Sequence, residues 1–116
     1  VRRVLPLDVC VLGMGADMHI ASLFPGADRL AEALDPDGRE ILLPMRANGA
    51  PEPRITLTAP VLRQARHLHL LIQGPQKLAA LKRAEQPGLA LDAPVRVILT
   101  APTPLTVHYT KVPSDA

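Results

Sequence analysis

Aromatic residues and cysteines are nearly absent from this chain of 116 residues, which has one Phe, one Tyr, no Trp and one Cys. With so few rings, the hydrophobic core must consist of Leu, Val, Ile and Ala, as in buried parallel sheets flanked by helices. The single thiol, Cys10, cannot form an internal disulfide, and its apolar neighbours indicate a small core residue. Nothing in the composition indicates an oxidising compartment, so a cytoplasmic location is expected.

The chain also has little excess of charge of one sign and few long apolar stretches. The formal net charge is +2, and the 13 Lys and Arg residues are dispersed along the chain. Without a basic stripe or aromatic platforms for stacking bases, no nucleic-acid partner is expected. No apolar run approaches a membrane span and the N-terminus lacks a signal-peptide pattern, so no membrane association is expected either.

The length of the chain allows a single domain with a modest core. The chain begins with Val1-Arg2-Arg3 rather than Met and soon reaches a strand of buried type. Such a start is typical of an internal fragment or a processed chain. We therefore expect residues 1–116 to form either one domain or the C-terminal part of a larger one.

Short apolar runs alternate with segments of helical composition. Strands are predicted over 8–12, 40–45, 54–58, 67–73, 94–99 and 105–110, and helices over 29–34, 60–66 and 76–85. Asp28 is expected to cap the first helix, and residues 47–53, rich in Gly and Pro, are expected to form a loop. This alternation predicts an α/β fold with a partial, open, mostly parallel sheet flanked by helices.

Glycines and polar residues follow the first predicted strand, in Gly13-Met14-Gly15-Ala16-Asp17-Met18-His19. Open α/β sheets place binding sites at the carboxyl ends of strands, where Gly13 and Gly15 would let the backbone approach a ligand closely. Asp17 and His19 could face one cavity, and a histidine beside a carboxylate can act as a general base. The residues alone leave open a structural alternative, in which both side chains cap the next turn.

Two cations lie at the ends of other predicted elements. Arg54 begins a strand, and Lys77 follows the Gly74-Pro75 break at the start of a helix. A helix N-terminus with a lysine suits a phosphate, and an arginine can add bidentate hydrogen bonds. Solvated surface positions are the alternative for both. His67 and His69 share a strand face at a spacing that can bind a metal, but without a third ligand in view no metal site is predicted.

The segment 12–26 reads Leu-Gly-Met-Gly-Ala-Asp-Met-His-Ile-Ala-Ser-Leu-Phe-Pro-Gly. It resembles the signature of the 6-phosphogluconolactonase family, Leu-Gly-x-Gly-x-Asp-Gly-His-Thr-Ala-Ser-Leu-Phe-Pro. Downstream, Arg-Ile-Thr-Leu-Thr at 54–58, Arg-His at 66–67 and Gly-x-x-Lys at 74–77 agree in order, so the resemblance covers most of the chain. The Ala-Ser-Leu-Phe-Pro part separates lactonases from the related glucosamine-6-phosphate deaminases.

The resemblance implies a Rossmann-like fold similar to the C-terminal half of the lactonase and sugar-phosphate isomerase fold. It implies hydrolysis of 6-phospho-D-glucono-1,5-lactone to 6-phosphogluconate in the pentose phosphate pathway, without a metal or organic cofactor. His19 would be the general base for water, and Asp17 would orient its imidazole or the sugar ring. Arg54 and Lys77 would bind the 6-phosphate of the substrate.

Two residues depart from the signature: Met18 replaces a Gly and Ile20 replaces a Thr. If the backbone at Met18 is left-handed, a side chain there costs on the order of 1 kcal/mol, and its thioether could crowd the sugar. Ile20 lacks a hydroxyl that could cap the following turn or touch the substrate.

The N-terminal half of the family, with its Ser/Gly/Thr phosphate loop, has no match in this chain. A C-terminal half alone would expose an apolar sheet face and edge. We therefore expect the missing half, or a second copy of the chain, as a partner. Two other functions stay open: an amino-sugar-phosphate isomerase or deaminase, and a non-catalytic sugar-phosphate-binding fragment.

Overall fold

Five strands and four α-helices make up the part of the chain that the structure, a computed structural model, describes, namely residues 2–47 and 50–111. In chain order they are β1 (Val9–Gly13), α1 (Leu30–Leu34), β2 (Leu42–Ala47), β3 (Ala50–Leu57), α2 (Ala59–Arg63), β4 (His67–Gln73), α3 (Pro75–Ala84), α4 (Arg96–Leu99) and β5 (Leu105–Thr110). A short 3-10 helix, Arg2–Val4, precedes β1. No helix in this part of the chain is long and apolar enough to cross a membrane.

The main sheet is parallel, with the strand order β1-β4-β5. Val11 of β1 lies opposite His69 of β4, and Leu71 of β4 lies opposite His108 of β5. Parallel neighbouring strands need long crossover connections. The connection from β1 to β4 contains α1 and α2, and the connection from β4 to β5 contains α3 and α4. The predicted α/β fold with a mostly parallel sheet is confirmed.

One face of the main sheet carries the hydrophobic core. Leu68, Leu70 and Ile72 of β4 are at most 4 % exposed, and α3 packs against this strand. The opposite side is termed the open face and includes Val9, Val11, His67, His69, Leu71, Thr106 and His108. Its three aliphatic side chains are at least 50 % exposed. Parallel sheets are normally covered on both faces, so this exposure is unusual for the fold class.

β2 and β3 form a separate antiparallel sheet of two strands, with Met45 opposite Arg54. The prediction of a loop over 47–53 was therefore wrong for Ala47, which belongs to β2, and for residues 50–53, which belong to β3, while residues 48 and 49 lie outside the described part. The prolines in this stretch disfavoured a strand. A two-stranded sheet leaves one edge of each strand without a partner, where a proline costs no ladder hydrogen bond.

The segment 94–99 was predicted to be a strand but ends in helix α4. Val97 and Ile98 are buried in the core, and Arg63 of α2 donates hydrogen bonds to the carbonyls of Val97 and Thr100 at 2.7 and 3.2 Å. These bonds satisfy carbonyls at the helix C-terminus. A short apolar run does not distinguish a buried strand from a buried helical turn, and here the packing against α2 decides.

The prediction that Asp28 caps α1 was also wrong. The residue at the helix start is Arg29, which makes no side-chain capping bond. Asp28 instead accepts the backbone N–H of Arg46 at 2.9 Å, and its own N–H donates to the carbonyl of Arg46 at 3.0 Å. Its carboxylate therefore ties the chain before α1 to strand β2.

Candidate active site

The loop after β1 closes on itself at the carboxyl edge of the main sheet. The N–H of Gly15 donates to the carbonyl of His19 at 3.0 Å, and the N–H of Met18 donates to the carbonyl of Gly15 at 2.9 Å. Ile20, with no exposed surface, anchors the end of this turn in the core. The closed turn brings the side chains of Asp17 and His19 together.

Asp17 and His19 form a hydrogen-bonded pair. Oδ1 of Asp17 lies 2.6 Å from Nδ1 of His19 and also accepts the backbone N–H of His19 at 3.1 Å. A carboxylate at Nδ1 favours the tautomer that is protonated there, which leaves Nε2 as the proton acceptor. Burial raises the pKa of Asp17, but the hydrogen bonds and charge of His19 outweigh it and hold this pKa below 3.8. The carboxylate is therefore ionised at neutral pH.

A cavity of about 400 Å³ adjoins the imidazole of His19. Its lining includes Gly13 and Gly15, Ala21, and Lys77 from the first turn of α3. Four of the six residues singled out from the sequence thus line one cavity, and Asp17 is connected to it through His19. The volume is within the range typical of small-molecule sites.

Arg54 is not among the described residues that line this cavity. Its guanidinium carbon lies 5.8 Å from the centre of the Phe24 ring, and that ring lies 4.4 Å from the ring of His19. Arg54 is therefore connected to the site through one aromatic ring, in a cation–π geometry. This role of Phe24 was not predicted from the sequence. The available signal was that the chain has a single Phe and that this residue lies five positions after the candidate base.

The far end of the loop is attached to β3 by a buried hydroxyl. Thr56 is 2 % exposed, accepts the backbone N–H of Ser22 at 3.1 Å and donates to the carbonyl of Leu57 at 2.9 Å. Without this hydroxyl a part-buried N–H would lose its partner, at a cost of about 1–3 kcal/mol. The threonine in the Arg-Ile-Thr-Leu-Thr segment thus supports the loop that carries His19.

Lys77 owes its place to the connection between β4 and α3. Gly74 adopts a φ of 90°, which turns the chain from the strand into the helix, and Pro75 occupies the first helical turn. The first N–H groups of a helix have no intrahelical partner and favour an anion, as does the ammonium group of Lys77. The amino end of α3 and Lys77 therefore suit a phosphate at the rim of the cavity.

Met18 has a left-handed backbone, with a φ of 70°. The strain expected where the signature has Gly is therefore present, about 1–2 kcal/mol for a residue with a side chain. The Met18 side chain packs against the core and is not among the described residues lining the cavity. The crowding expected from its thioether is thus not observed at the cavity wall.

The cost of this conformation can be measured by comparing two variants of Met18. Both Met18→Ala and Met18→Gly lose the packing of the thioether, but only Gly relieves the left-handed strain. We expect Met18→Gly to be the more stable by about 1 kcal/mol in chemical denaturation. At Met14, whose φ is not positive, the order should reverse, with Ala the more stable by about 0.5–1 kcal/mol. The same order at both positions would contradict a left-handed Met18.

Cys10 is a core residue, as predicted: it is 7 % exposed, and burial raises the pKa of its thiol. A thiol of raised pKa is a poor nucleophile at neutral pH. Within residues 2–47 and 50–111, no group of three or more His, Cys, Asp and Glu side chains could hold a metal ion.

Residues 2–107 match the model of the family described as glucosamine-6-phosphate isomerases/6-phosphogluconolactonase. The 6-phosphogluconolactonase of Rhizobium meliloti is 47 % identical over 105 residues, 90 % of this chain and 45 % of that protein. That of Pseudomonas aeruginosa is 48 % identical over 90 % of this chain and 43 % of that protein. The crystal structure of a 6-phosphogluconolactonase from Shewanella baltica matches with a TM-score of 0.85 at 31 % identity, covering 93 % of this chain and 48 % of that one. The chain thus spans about half the length of the relatives it matches.

Proposed function

Because the chain belongs to the glucosamine-6-phosphate isomerase/6-phosphogluconolactonase family, we propose that it hydrolyses 6-phospho-D-glucono-1,5-lactone to 6-phosphogluconate. The observation that supports this most directly is the hydrogen-bonded pair of Asp17 and His19 beside a cavity that Lys77 also lines. A positioned base next to a cationic group is what a phosphorylated ester substrate requires.

His19 is the general base of the proposed reaction. Its Nε2 takes a proton from a water molecule while the water oxygen bonds to the lactone carbonyl carbon. The bond from that carbon to the ring oxygen then breaks, and the imidazolium returns a proton to the leaving oxygen. Asp17 holds the imidazole in the required tautomer and stabilises its positive charge. The reaction consumes one water and needs no cofactor.

The phosphate lies, in this proposal, between Lys77 and Arg54. Lys77 lines the cavity beside His19, and Arg54 lies over Phe24, whose ring is 4.4 Å from the ring of His19. Gly13 and Gly15 leave the cavity wall without side chains, so the sugar ring can approach the backbone closely. The lactone carbonyl would then be at His19 and the phosphate toward α3.

Replacing Lys77 by Ala should raise KM for the phosphorylated lactone by roughly 10–100-fold with a smaller effect on kcat, because a hydrogen bond to a charged group contributes about 1.5–3 kcal/mol. Calorimetric binding of 6-phosphogluconate should weaken in parallel. Lys82→Ala, which removes an exposed lysine of the same helix, is the matched control and should leave both values unchanged. Equal affinity in the Lys77 variant and the parent chain would remove Lys77 from the phosphate site.

The extent of the functional unit belongs to the same proposal. Residues 1–116 would be the C-terminal part of a lactonase domain acting in the cytoplasm. The N-terminal half of that domain, or a second copy of the chain, would cover the open face. The exposed Val9, Val11 and Leu71 support this, since apolar side chains on both faces of a parallel sheet are normally buried.

The second candidate is a fragment that binds sugar phosphates without turnover, favoured by the half-length match to the relatives and by the strain at Met18. An amino-sugar-phosphate isomerase or deaminase would need a further acid for ring opening. The only carboxylate that contacts His19 among the described residues is Asp17.

The deciding experiment is hydrolysis of freshly generated 6-phosphogluconolactone by this chain, corrected for spontaneous opening. The full-length Rhizobium meliloti enzyme serves as the assay control. Turnover above background that requires His19 is the expected result. Absence of turnover where the control is active would overturn the proposal for this chain as it stands. Binding of 6-phosphogluconate in that case would favour the second candidate.

A further inference from the structure

Two histidines from neighbouring strands meet on the open face. Nδ1 of His69 lies 2.9 Å from Nε2 of His108, and the two rings stack with their centroids 5.2 Å apart and their planes inclined by 26°. The register of the sheet accounts for this: His69 lies opposite Thr106, and His108 is two residues further along β5 on the same face. The pair is not part of the lining of the cavity beside His19, but His108 and Lys77 line a neighbouring cavity of about 380 Å³.

The separation of the two nitrogens is close to that of a metal chelate. Between two imidazoles a hydrogen bond uses one lone pair and one N–H, whereas a metal ion can use both lone pairs. With Zn–N bonds of 2.0–2.1 Å and tetrahedral angles, two ligand nitrogens lie about 3.3 Å apart. The observed 2.9 Å therefore needs to open by about 0.4 Å, and both rings need to turn so that their lone pairs converge on the metal.

We propose that His69 and His108 form a two-imidazole binding site for a divalent transition metal such as Zn²⁺, outside the cavity beside His19. Neutral imidazoles prefer Zn²⁺, Ni²⁺ and Cu²⁺ over Mg²⁺ and Ca²⁺, which require oxygen ligands. The described residues contain no cluster of three or more metal-ligating side chains, so water completes the coordination in the uncovered chain. The site stands on its own geometry, and where a partner covers the open face the two imidazoles lie at that interface.

His67 is the natural comparison within the same sheet. It lies two residues before His69 on β4 and on the same face, so the sequence alone pairs these two. Their backbone positions are about 6.6 Å apart along the strand, whereas adjacent strands are about 4.8 Å apart. The pair that meets is the one across strands, and its formation depends on the register of β4 with β5.

The test is calorimetric titration of the metal-stripped chain with Zn²⁺ at a fixed, slightly alkaline pH. We expect one equivalent to bind, and the affinity to fall at least about tenfold in both His69→Gln and His108→Gln, since even the loss of an outer-shell partner costs 10–100-fold. His67→Gln should bind as the parent chain does. Far-UV circular dichroism checks that each variant is folded, which is the expected result because His67 and His108 are exposed and His69 is half-buried.

A site-resolved measurement separates this site from the Asp17–His19 pair. In long-range ¹H–¹⁵N spectra of the histidine rings, Zn²⁺ should shift Nδ1 of His69 and Nε2 of His108 at the lowest metal concentrations. The proposal would be overturned if Zn²⁺ did not bind, or if it bound unchanged in both His69→Gln and His108→Gln. An equal loss of affinity in His67→Gln, or first resonance shifts at His19, would overturn it as well.

Discussion

Replacing His19 by Ala should lower the turnover of 6-phosphogluconolactone by about 10²–10⁴-fold, the range that a positioned general base contributes. The loss should fall on kcat rather than KM, because in the proposed reaction His19 accepts a proton in the transition state, whereas Lys77 and Arg54 are proposed to hold the phosphate. Affinity for 6-phosphogluconate should therefore change little. The measurement is the lactonase assay combined with calorimetric binding of the product.

His67→Ala is the matched control for this variant. His67 is exposed on the open face and contributes nothing to the lining of the cavity beside His19. Its removal should leave turnover within the error of the parent chain. Turnover retained in His19→Ala would eliminate His19 as the base. Equal loss of product affinity and turnover would mean that the ring of His19 mainly supports Phe24, which lies 4.4 Å from it.

The strands of the main sheet could be predicted from local sequence because their boundaries are marked. β4 begins and ends at the predicted residues, 67 and 73, and the Gly74-Pro75 pair that follows it starts α3. β5 also agrees with its prediction, 105–110. The α4 helix and the start of β3 could not be predicted, since packing against α2 decides the first and an unpaired strand edge accommodates the prolines of the second.

In the candidate site, too, some contacts could be predicted from sequence patterns, whereas others depend on how distant segments pack. Asp17 and His19 are two residues apart in a turn, so their contact is local and could be inferred from spacing. The approach of Lys77 follows from the rule that strand carboxyl ends meet at one edge of a parallel sheet. The stack of Arg54 on Phe24 requires the β2–β3 sheet to be positioned beside the loop. The contact of His69 with His108 requires the register of two strands, which no local pattern contains.

Substituting Gly15 by Ala should lower lactone turnover by about 10²-fold or more without unfolding the chain. A Cβ at this position would clash with Cε1 and Nδ1 of His19 and would lie 2.8 Å from Oδ1 of Asp17. The backbone of Gly15 is fixed by its hydrogen bonds to His19 and Met18, so the imidazole must move instead. A displacement of about 1 Å of a catalytic group can cost 10²-fold in rate. The glycine is therefore required by the base rather than by the backbone conformation.

Gly13→Ala is the control that tests whether replacing any glycine of the loop has this effect or only the clash with His19 does. A Cβ at Gly13 meets no atom within 4 Å, so the hydrogen bond between Asp17 and His19 should persist in that variant and be lost in Gly15→Ala. The Nδ1–H resonance of His19, detected by ¹H–¹⁵N spectroscopy, reports this bond directly. If Gly15→Ala kept the resonance but lost turnover, the added methyl group would be blocking the lactone instead of displacing the base. If Gly15→Ala kept both, the close approach of His19 to Gly15 would not exist in solution, and the hydrogen bond to Asp17 would orient the base without any constraint from Gly15.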